Sequence, residues 1–167
     1  MIEWKAGRVA ANGISLEYHR TGGNRPPILL AHGATDRGLC WIRLAKALEK
    51  EYELIMVDAR GHGKSDAPAA GYSSIDHAAD LAGVIRALGL EKPAVIGHSM
   101  GAASAAQLAV AHPDLIACAI LEDPPWREAT GDELPSEREE RMAEWGRNIR
   151  KQRSQTLQEV MAGRSHP

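Results

Sequence analysis

The chain has 167 residues, 44% of them hydrophobic and 25% charged, and its formal net charge is −2 at pH 7. This composition predicts one globular domain with its own core, and the small net charge excludes a general attraction to nucleic acid or to anionic membranes. The sequence shows neither the apolar stretch of a signal peptide nor a run long enough to span a bilayer, so we expect a cytoplasmic protein.

The first half of the chain predicts strands that alternate with helices. Residues 8–20 divide around Asn12-Gly13 into two alternating segments, a pattern typical of an antiparallel hairpin at a sheet edge. Apolar runs at 28–31 and 54–57 predict strands buried on both faces, and a helical pattern lies between them. The next helix is predicted from N-cap residues to a closing glycine: Ser73, Ser74, Asp76 and Gly89.

The second half continues this alternation. Ala94-Val95-Ile96 predicts a strand, Ala102 to Ala111 a helix of small residues, and Leu115 to Leu121 a further strand. Strands alternating with helices predict a parallel sheet covered on both faces.

A long polar helix is predicted from Pro135-Ser136 to Ala162-Gly163, with Ser136 and Glu139 as a capping box. The basic residues of 147–153 predict a solvated helix face. The apolar residues of the helix form a sparse stripe that needs a surface to cover: Leu134, Met142, Trp145, Ile149, Leu157, Val160 and Met161.

The pentapeptide Gly97-His98-Ser99-Met100-Gly101 joins the third predicted parallel strand to its helix. In the pattern Gly-x-Ser-x-Gly, the glycines remove Cβ atoms that would collide at a sharp turn. Ser99 is then lifted clear of the sheet at a helix N-terminus, where negative charge is stabilised. We predict that Ser99 is a nucleophile that forms an acyl-enzyme.

With three other segments in the same order, this pentapeptide resembles the elbow of a serine-nucleophile α/β-hydrolase. The segments are Leu30-Ala31-His32-Gly33-Ala34, the run from Val57 to Ser65, and Ile120 to Trp126. The resemblance is close over residues 8–130. It implies a three-layer α/β core with a mostly parallel sheet over 1–126, and the start of a helical cap or lid over 127–167.

The resemblance also implies roles for single residues. The backbone N–H groups of Ala34 and Met100 form the oxyanion hole. Asp123 is the candidate triad acid, with a hinge at Glu122 to Pro125 as the alternative. Substrate-binding positions are assigned by the same resemblance: His32, Gly33 and His98.

The general base is not identifiable among the seven histidines. The family supplies its acid and then its histidine after the serine, from strands that this chain lacks, so we expect a truncated form or fragment with weak turnover. His62 and His77 are placed in or near surface loops, His19 in a strand, and His112 at a helix end. His166 reaches Ser99 only if the terminal segment folds back.

The glycine-rich run from Asp58 to Asp66 does not have the spacing of a phosphate-binding loop. We predict a structural turn in which Arg60 pairs with Asp58. No histidine or carboxylate pair has ligand spacing with a third partner, so no metal site is expected. Cys40 and Cys118 match no metal or redox spacing and predict free, partly buried thiols without a disulfide.

Two functions stay open. The first is hydrolysis of an ester or related acyl group on a small-molecule substrate through Ser99, without a cofactor. The alternative is a non-catalytic α/β-hydrolase-like domain that binds a small molecule or a partner chain. The strand at 115–121 exposes its outer edge, which predicts a homo-oligomer or a complementing C-terminal segment.

Overall fold

The computed structural model describes residues 4–126 and 135–155. The strands are β1 Lys5–Ala11, β2 Ile14–Arg20, β3 Pro27–Ala31, β4 Glu53–Val57, β5 Ala94–His98 and β6 Cys118–Glu122. The helices are α1 Ile42–Leu48, α2 Ser74–Ala87, α3 Met100–Ala111 and α4 Pro135–Ser154. None of them is long and apolar enough to cross a membrane.

The strands form one sheet in the order β1-β2-β4-β3-β5-β6. β1 and β2 are antiparallel, β2 pairs antiparallel with β4, and the remaining pairs are parallel. Asn12 and Gly13 connect β1 to β2 with positive φ angles of 49° and 77°. A two-residue turn with both φ angles positive matches the twist of paired strands, so the predicted edge hairpin is confirmed.

The core has two parts, one on each face of the sheet. On one face, α2 and α3 pack over side chains such as Leu29, Ile55 and Val95. On the other, α1 and its preceding turn cover Leu30 and Met56. Each fully buried aliphatic side chain stabilises the fold by about 1.5–3 kcal/mol. The prediction of a three-layer, mostly parallel α/β sheet is therefore confirmed.

α3 begins at Met100, directly after Ser99, as expected for a serine at the helix N-terminus. One element boundary differs from the prediction. β6 begins at Cys118 instead of Leu115, because Pro113–Leu115 forms a 3₁₀ turn. The start of α2 was predicted correctly: Ser73 and Asp76 form a reciprocal capping box, and Gly89 follows the helix with a φ of 62°.

The helix α4 covers the loop from Ala59 to Tyr72. Ile149 is buried, and the rings of Trp145 and Tyr72 meet edge to face at 5.9 Å. Arg150 Nη1 donates to the carbonyls of Pro68 and Ala69, each at 2.9 Å, and Arg153 donates to Ser65. The central part of the predicted stripe thus covers a surface, whereas these two arginines are not simply solvated. Other predicted features lie outside the described residues: Leu134, the side chain of Glu139, Leu157, Val160, Met161 and the helix end near Gly163.

The pairing predicted for Arg60 is wrong. Its guanidinium binds both carboxylate oxygens of Asp80 on α2, at 2.6 Å and 2.5 Å. Asp58 instead accepts from the backbone N–H groups of Gly38 and Lys64, because its position at the end of β4 faces two turns. The cysteines are free as predicted, but Cys40 and Cys118 are exposed instead of partly buried.

Candidate active site

Ser99 occupies a strained turn between β5 and α3. Its φ and ψ are 50° and −112°, outside the regions that L-residues ordinarily adopt. The turn is fixed from both sides, because the Ser99 N–H donates to the Glu122 carbonyl at 2.9 Å and the Ser99 carbonyl accepts from Ala103 at 3.1 Å. The predicted strand-to-helix turn and its unusual backbone are confirmed.

The glycines of the pentapeptide permit this turn. A Cβ atom at Gly97 would lie 2.2 Å from the carbonyl oxygen of Gly101, well inside van der Waals contact. Strand and helix therefore approach so closely that position 97 accepts no side chain. The serine between them is held at the edge of the sheet and stays partly exposed.

Three candidate segments meet at this edge of the sheet. β3 and β5 pair in parallel with Ala31 opposite Gly97, and β5 and β6 pair with His98 opposite Glu122. The loops that follow these strands carry Ala34, Ser99 and Asp123. Because parallel strands end at the same edge, the topology brings the candidate residues to one side of the molecule.

Two backbone N–H groups are available at this edge. Those of Met100 and Ala34 donate to no acceptor within the described part of the chain. Met100 begins α3, so its N–H belongs to the helix terminus, where an anion is stabilised by unpaired donors and the helix dipole. This arrangement is compatible with the oxyanion hole that the sequence predicts.

His32 is buried beneath the loop that follows β3. Its Nδ1 lies 2.8 Å from the Gly33 carbonyl, and the Ala59 N–H donates to its Nε2 at 2.9 Å. An N–H donor on one side and a carbonyl acceptor on the other fix the neutral tautomer with hydrogen on Nδ1. Burial lowers the pKa of His32 to about 4. Neither ring nitrogen is left for a substrate, so this geometry gives no support to substrate binding by His32.

His62 and His77 are buried, so their predicted placement in or near surface loops is wrong. His77 lies within α2, and burial lowers its pKa to about 3. Its Nε2 has no hydrogen-bond partner within the described residues. His62 is covered by α4 and contacts the rings of His32 and Trp145. The sequence did not reveal this because the covering helix comes from a distant part of the chain.

His98 lies against Gly33. A Cβ atom at Gly33 would be 2.8 Å from His98 Nδ1 and 3.3 Å from Asp36 Oδ2. The structure thus brings together two of the three predicted substrate-binding positions, Gly33 in the loop after β3 and His98 at the end of β5. The absence of a side chain at Gly33 makes room for the imidazole of His98.

Asp123 follows β6 with a φ of 45° and is exposed. Its carboxylate accepts no hydrogen bond from the described residues, and the hinge interpretation agrees equally well with this position.

No histidine among the described residues forms a hydrogen bond with Ser99. His19 lies in β2 as predicted, and His112 is the C-cap of α3. His166 lies outside the described residues. Residues 4–126 and 135–155 contain no cluster of potential metal ligands.

Cys40 is the other potential nucleophile near this edge. Although the residue as a whole is exposed, desolvation of its thiol and the nearby carboxylates of Asp36, Glu122 and Asp58 raise the pKa of Cys40 to about 11. The thiolate is the nucleophilic form of cysteine, so the raised pKa makes Cys40 a weaker nucleophile at neutral pH than an unperturbed thiol.

A cavity of about 20 Å³ lies behind the serine turn, lined in part by His77, Met100, Gly101 and Ser104. Pockets for organic ligands are at least ten times larger, at roughly 300 Å³ and above. This cavity is therefore too small to hold an organic ligand.

A family model described as "alpha/beta hydrolase fold" matches residues 26–163, most of the chain. The chain belongs to the alpha/beta hydrolase family. This alpha/beta hydrolase is 38% identical over 116 residues to 2-(acetamidomethylene)succinate hydrolase of Mesorhizobium japonicum, covering 70% of the chain and 41% of that protein. It is 35% identical over 120 residues to N-formylmaleamate deformylase of Pseudomonas putida, covering 71% of the chain and 45% of that protein.

Among solved structures, epoxide hydrolase A from Mycobacterium thermoresistibile is similar, with a TM-score of 0.67 and 33% identity. The match covers 70% of this alpha/beta hydrolase and 38% of that chain. The chain therefore spans less than half the length of the relatives that it matches. Two of these relatives are named as hydrolases and the third as a deformylase, and the three names differ in the bond that is cleaved.

Proposed function

We propose that the chain is the nucleophile-bearing part of a serine hydrolase that cleaves an ester or amide of a small carboxylic acid. The observation that carries this proposal is the backbone of Ser99, held at φ 50° and ψ −112° directly before the N–H of Met100, which has no acceptor among the described residues. Strain of this kind persists only where the surrounding structure enforces it, and it is concentrated at functional sites.

The chemistry of serine favours an acyl substrate over an epoxide. Attack of Ser99 Oγ on an acyl carbon gives a tetrahedral oxyanion, which collapses to a serine ester as the alcohol or amine leaves with a proton. Water then attacks the carbonyl of this ester and releases the acid. Attack on an epoxide would give an alkyl ether of Ser99. This ether has no carbonyl for water to attack, so the serine would remain alkylated after a single reaction.

The names of two relatives narrow the substrate class further. An acetamido group and an N-formyl group are both acyl groups on nitrogen, and both named compounds derive from four-carbon dicarboxylic acids. We therefore propose a small N-acyl compound that carries a carboxylate as the preferred substrate, with simple esters as poorer ones. No cofactor takes part in this reaction.

The base that deprotonates Ser99 is proposed to come from a histidine outside the described residues. Without a complete triad, oxyanion stabilisation and binding still accelerate such reactions on the order of 10³- to 10⁴-fold over water. This chain is accordingly expected to acylate slowly and to turn over weakly. We further propose that Asp123 is the acid of that triad, that α4 is the start of a lid, and that the protein is cytoplasmic.

The test is covalent labelling of the purified chain with a fluorophosphonate probe, followed by mass spectrometry of the adduct. We expect a slow, single adduct on Ser99 that is lost in Ser99→Ala. Ser74→Ala, which removes a hydroxyl at the start of α2, is the matched control and should label normally. An unreactive Ser99 in a folded chain that still binds a carboxylate ligand would favour the non-catalytic alternative.

Turnover is tested separately on a nitrophenyl ester, an N-acyl dicarboxylic acid derivative and a small epoxide. Addition of a C-terminal segment that contains a histidine should raise hydrolysis of the first two and leave the epoxide untouched. Rapid turnover by the chain alone, abolished by Ser99→Ala, would show that it already contains a base, and His166 would be the first residue to replace.

A further inference from the structure

His62 lies between two backbone segments that follow the carboxyl ends of β3 and β4. Its Nε2 lies 2.9 Å from the carbonyl oxygen of Ala34, and its Nδ1 lies 2.9 Å from the carbonyl oxygen of Arg60. Both partners are acceptors, and a neutral imidazole has a single N–H, so His62 donates to one carbonyl at a time and to both only when the ring is protonated. The side chain is buried, with only 9% of its surface exposed, which protects these bonds from competition by water.

The candidate oxyanion donor is the N–H of Ala34, which has one peptide group on each side. The hydrogen bond from His62 to the Ala34 carbonyl fixes the peptide group that follows this residue. All peptide bonds in the described residues are trans, so the C=O and N–H of one peptide point in opposite directions. The Gly33 carbonyl is held by His32 Nδ1 at 2.8 Å and by the Asp36 N–H at 3.1 Å, which directs the Ala34 N–H the other way. His62 holds the following peptide through the Ala34 carbonyl, so neither plane can rotate freely.

Other side chains hold the His62 ring in place. The ring of His32 meets it edge to face at 5.0 Å, and the indole of Trp145 on α4 covers it at 6.4 Å. The imidazole of His62 thus connects the loop that follows β3, the loop from Ala59 to Tyr72, and α4.

We propose that His62 is a positioning residue for the oxyanion hole, acting through its Nε2–H bond to the Ala34 carbonyl. The inference rests on the proposed function of Ser99 and adds a residue that never contacts the substrate. An oxyanion hole stabilises the transition state only when its donors are oriented in advance. If the peptide groups around Ala34 rotate, the transition state is less stabilised even when Ser99 and Met100 are intact.

Two substitutions separate this role from simple packing. In His62→Gln the side-chain amide nitrogen replaces Nε2 and can still donate to Ala34. In His62→Asn the shorter amide replaces Nδ1, which keeps a donor for Arg60 and loses the one for Ala34. We expect the labelling rate of Ser99 to fall on the order of 10- to 100-fold in His62→Asn. In His62→Gln it should stay within about threefold of the parent, as in the control His19→Gln on β2.

A spectroscopic readout keeps the test independent of Ser99 chemistry and of variant stability. In the parent chain, ¹⁵N NMR of the His62 ring should show hydrogen on Nε2, and a lone pair at that nitrogen would overturn the inference. The ¹³C shift of the Ala34 carbonyl should move in His62→Asn and be retained in His62→Gln. Equal loss of labelling in both variants, or an unmoved Ala34 carbonyl, would reduce His62 to a packing residue.

The two proposals fail in different ways. If the parent chain does not label at Ser99, the proposed function is contradicted, whereas the NMR measurements still decide whether His62 holds Ala34. If Ser99 labels normally in His62→Asn, the positioning role is contradicted and the proposed function stands.

Discussion

A Cβ atom at Gly101 would lie 2.1 Å from the carbonyl oxygen of Ala31. The first turn of α3 therefore rests directly on the end of β3, and only glycine permits this contact. The approach places the helix terminus that follows Ser99 beside the loop that follows His32. The two candidate oxyanion donors come from these two segments.

Gly101→Val should reduce the free energy of unfolding by about 3 kcal/mol or more, because the obstructing atoms are backbone and cannot rotate away. The matched control is Ala111→Val, which adds a similar branched side chain at an exposed position of the same helix and should cost less than about 1 kcal/mol. Denaturant unfolding measures both. Equal stability of the two variants would contradict the close approach of α3 and β3.

The sequence predicted the sheet, the hairpin and the serine turn because each depends on a local signal. Asn12-Gly13 specifies a turn, the run from Ile28 to Ala31 specifies a buried strand, and the pentapeptide around Ser99 specifies the sharp bend. These signals lie within a few neighbouring residues, where steric rules act directly on the backbone.

Features that depend on tertiary contact were not predictable. Arg60 was expected to pair with its neighbour Asp58, but it extends to Asp80 on a helix that packs over the same loop. His62 and His77 are polar residues in a glycine-rich loop and an amphipathic helix, and nothing local shows that α4 covers them. The bond from His62 to Ala34 joins residues 28 positions apart, beyond the reach of spacing arguments.

The ion pair between Arg60 and Asp80 is almost fully buried, with side-chain exposures of 5% and 4%. Asp80→Asn should destabilise the fold by about 3–5 kcal/mol, because it leaves the guanidinium buried without a counter-charge. Lys64→Ala is the control: Lys64 pairs with Glu17 at 3.6 Å but is 79% exposed, so its loss should cost less than about 1 kcal/mol. Similar costs for the two variants would argue that Arg60 reaches solvent.

Acid should destabilise the chain through two buried histidines. Burial lowers the pKa of His32 to about 4 and of His77 to about 3, below the ordinary value of 6.5. Below pH 6.5 the unfolded chain binds protons that the folded chain does not, so stability falls as the pH decreases toward these values. Each histidine contributes up to about 1.4 kcal/mol per pH unit in this window.

His77→Leu isolates one of these contributions. The substitution removes a titrating group and also an Nε2 that has no partner among the described residues, so stability at pH 7 should be equal or higher. The loss of unfolding free energy between pH 6.5 and pH 4.5 should be smaller than in the parent. A variant with the parent's full pH dependence would show that His77 becomes protonated in the folded state.

The attachment of α4 depends on a second close contact. A Cβ atom at Gly146 would lie 2.6 Å from the ring of Tyr72, so Gly146→Val should displace the helix from the loop below it. We expect a shift in Trp145 fluorescence and faster proteolysis within α4. Arg147→Val, at the exposed neighbouring position, tests whether a β-branched residue alone has this effect. Unchanged proteolysis in Gly146→Val would contradict the docking of α4 through Tyr72.

The outer edge of β6 favours association between chains. Within the described residues β6 pairs with β5 on one side only, and its Ile120 is 53% exposed. An open strand edge beside exposed apolar surface recruits other chains, so we expect concentration-dependent association in light scattering. Ile120→Lys should shift this association to higher concentration, because a charge at the edge opposes pairing. Val110→Lys, on α3 at a site 78% exposed, is the matched control and should leave association unchanged. Equal effects of the two lysines would indicate that general surface charge, and not the β6 edge, governs association.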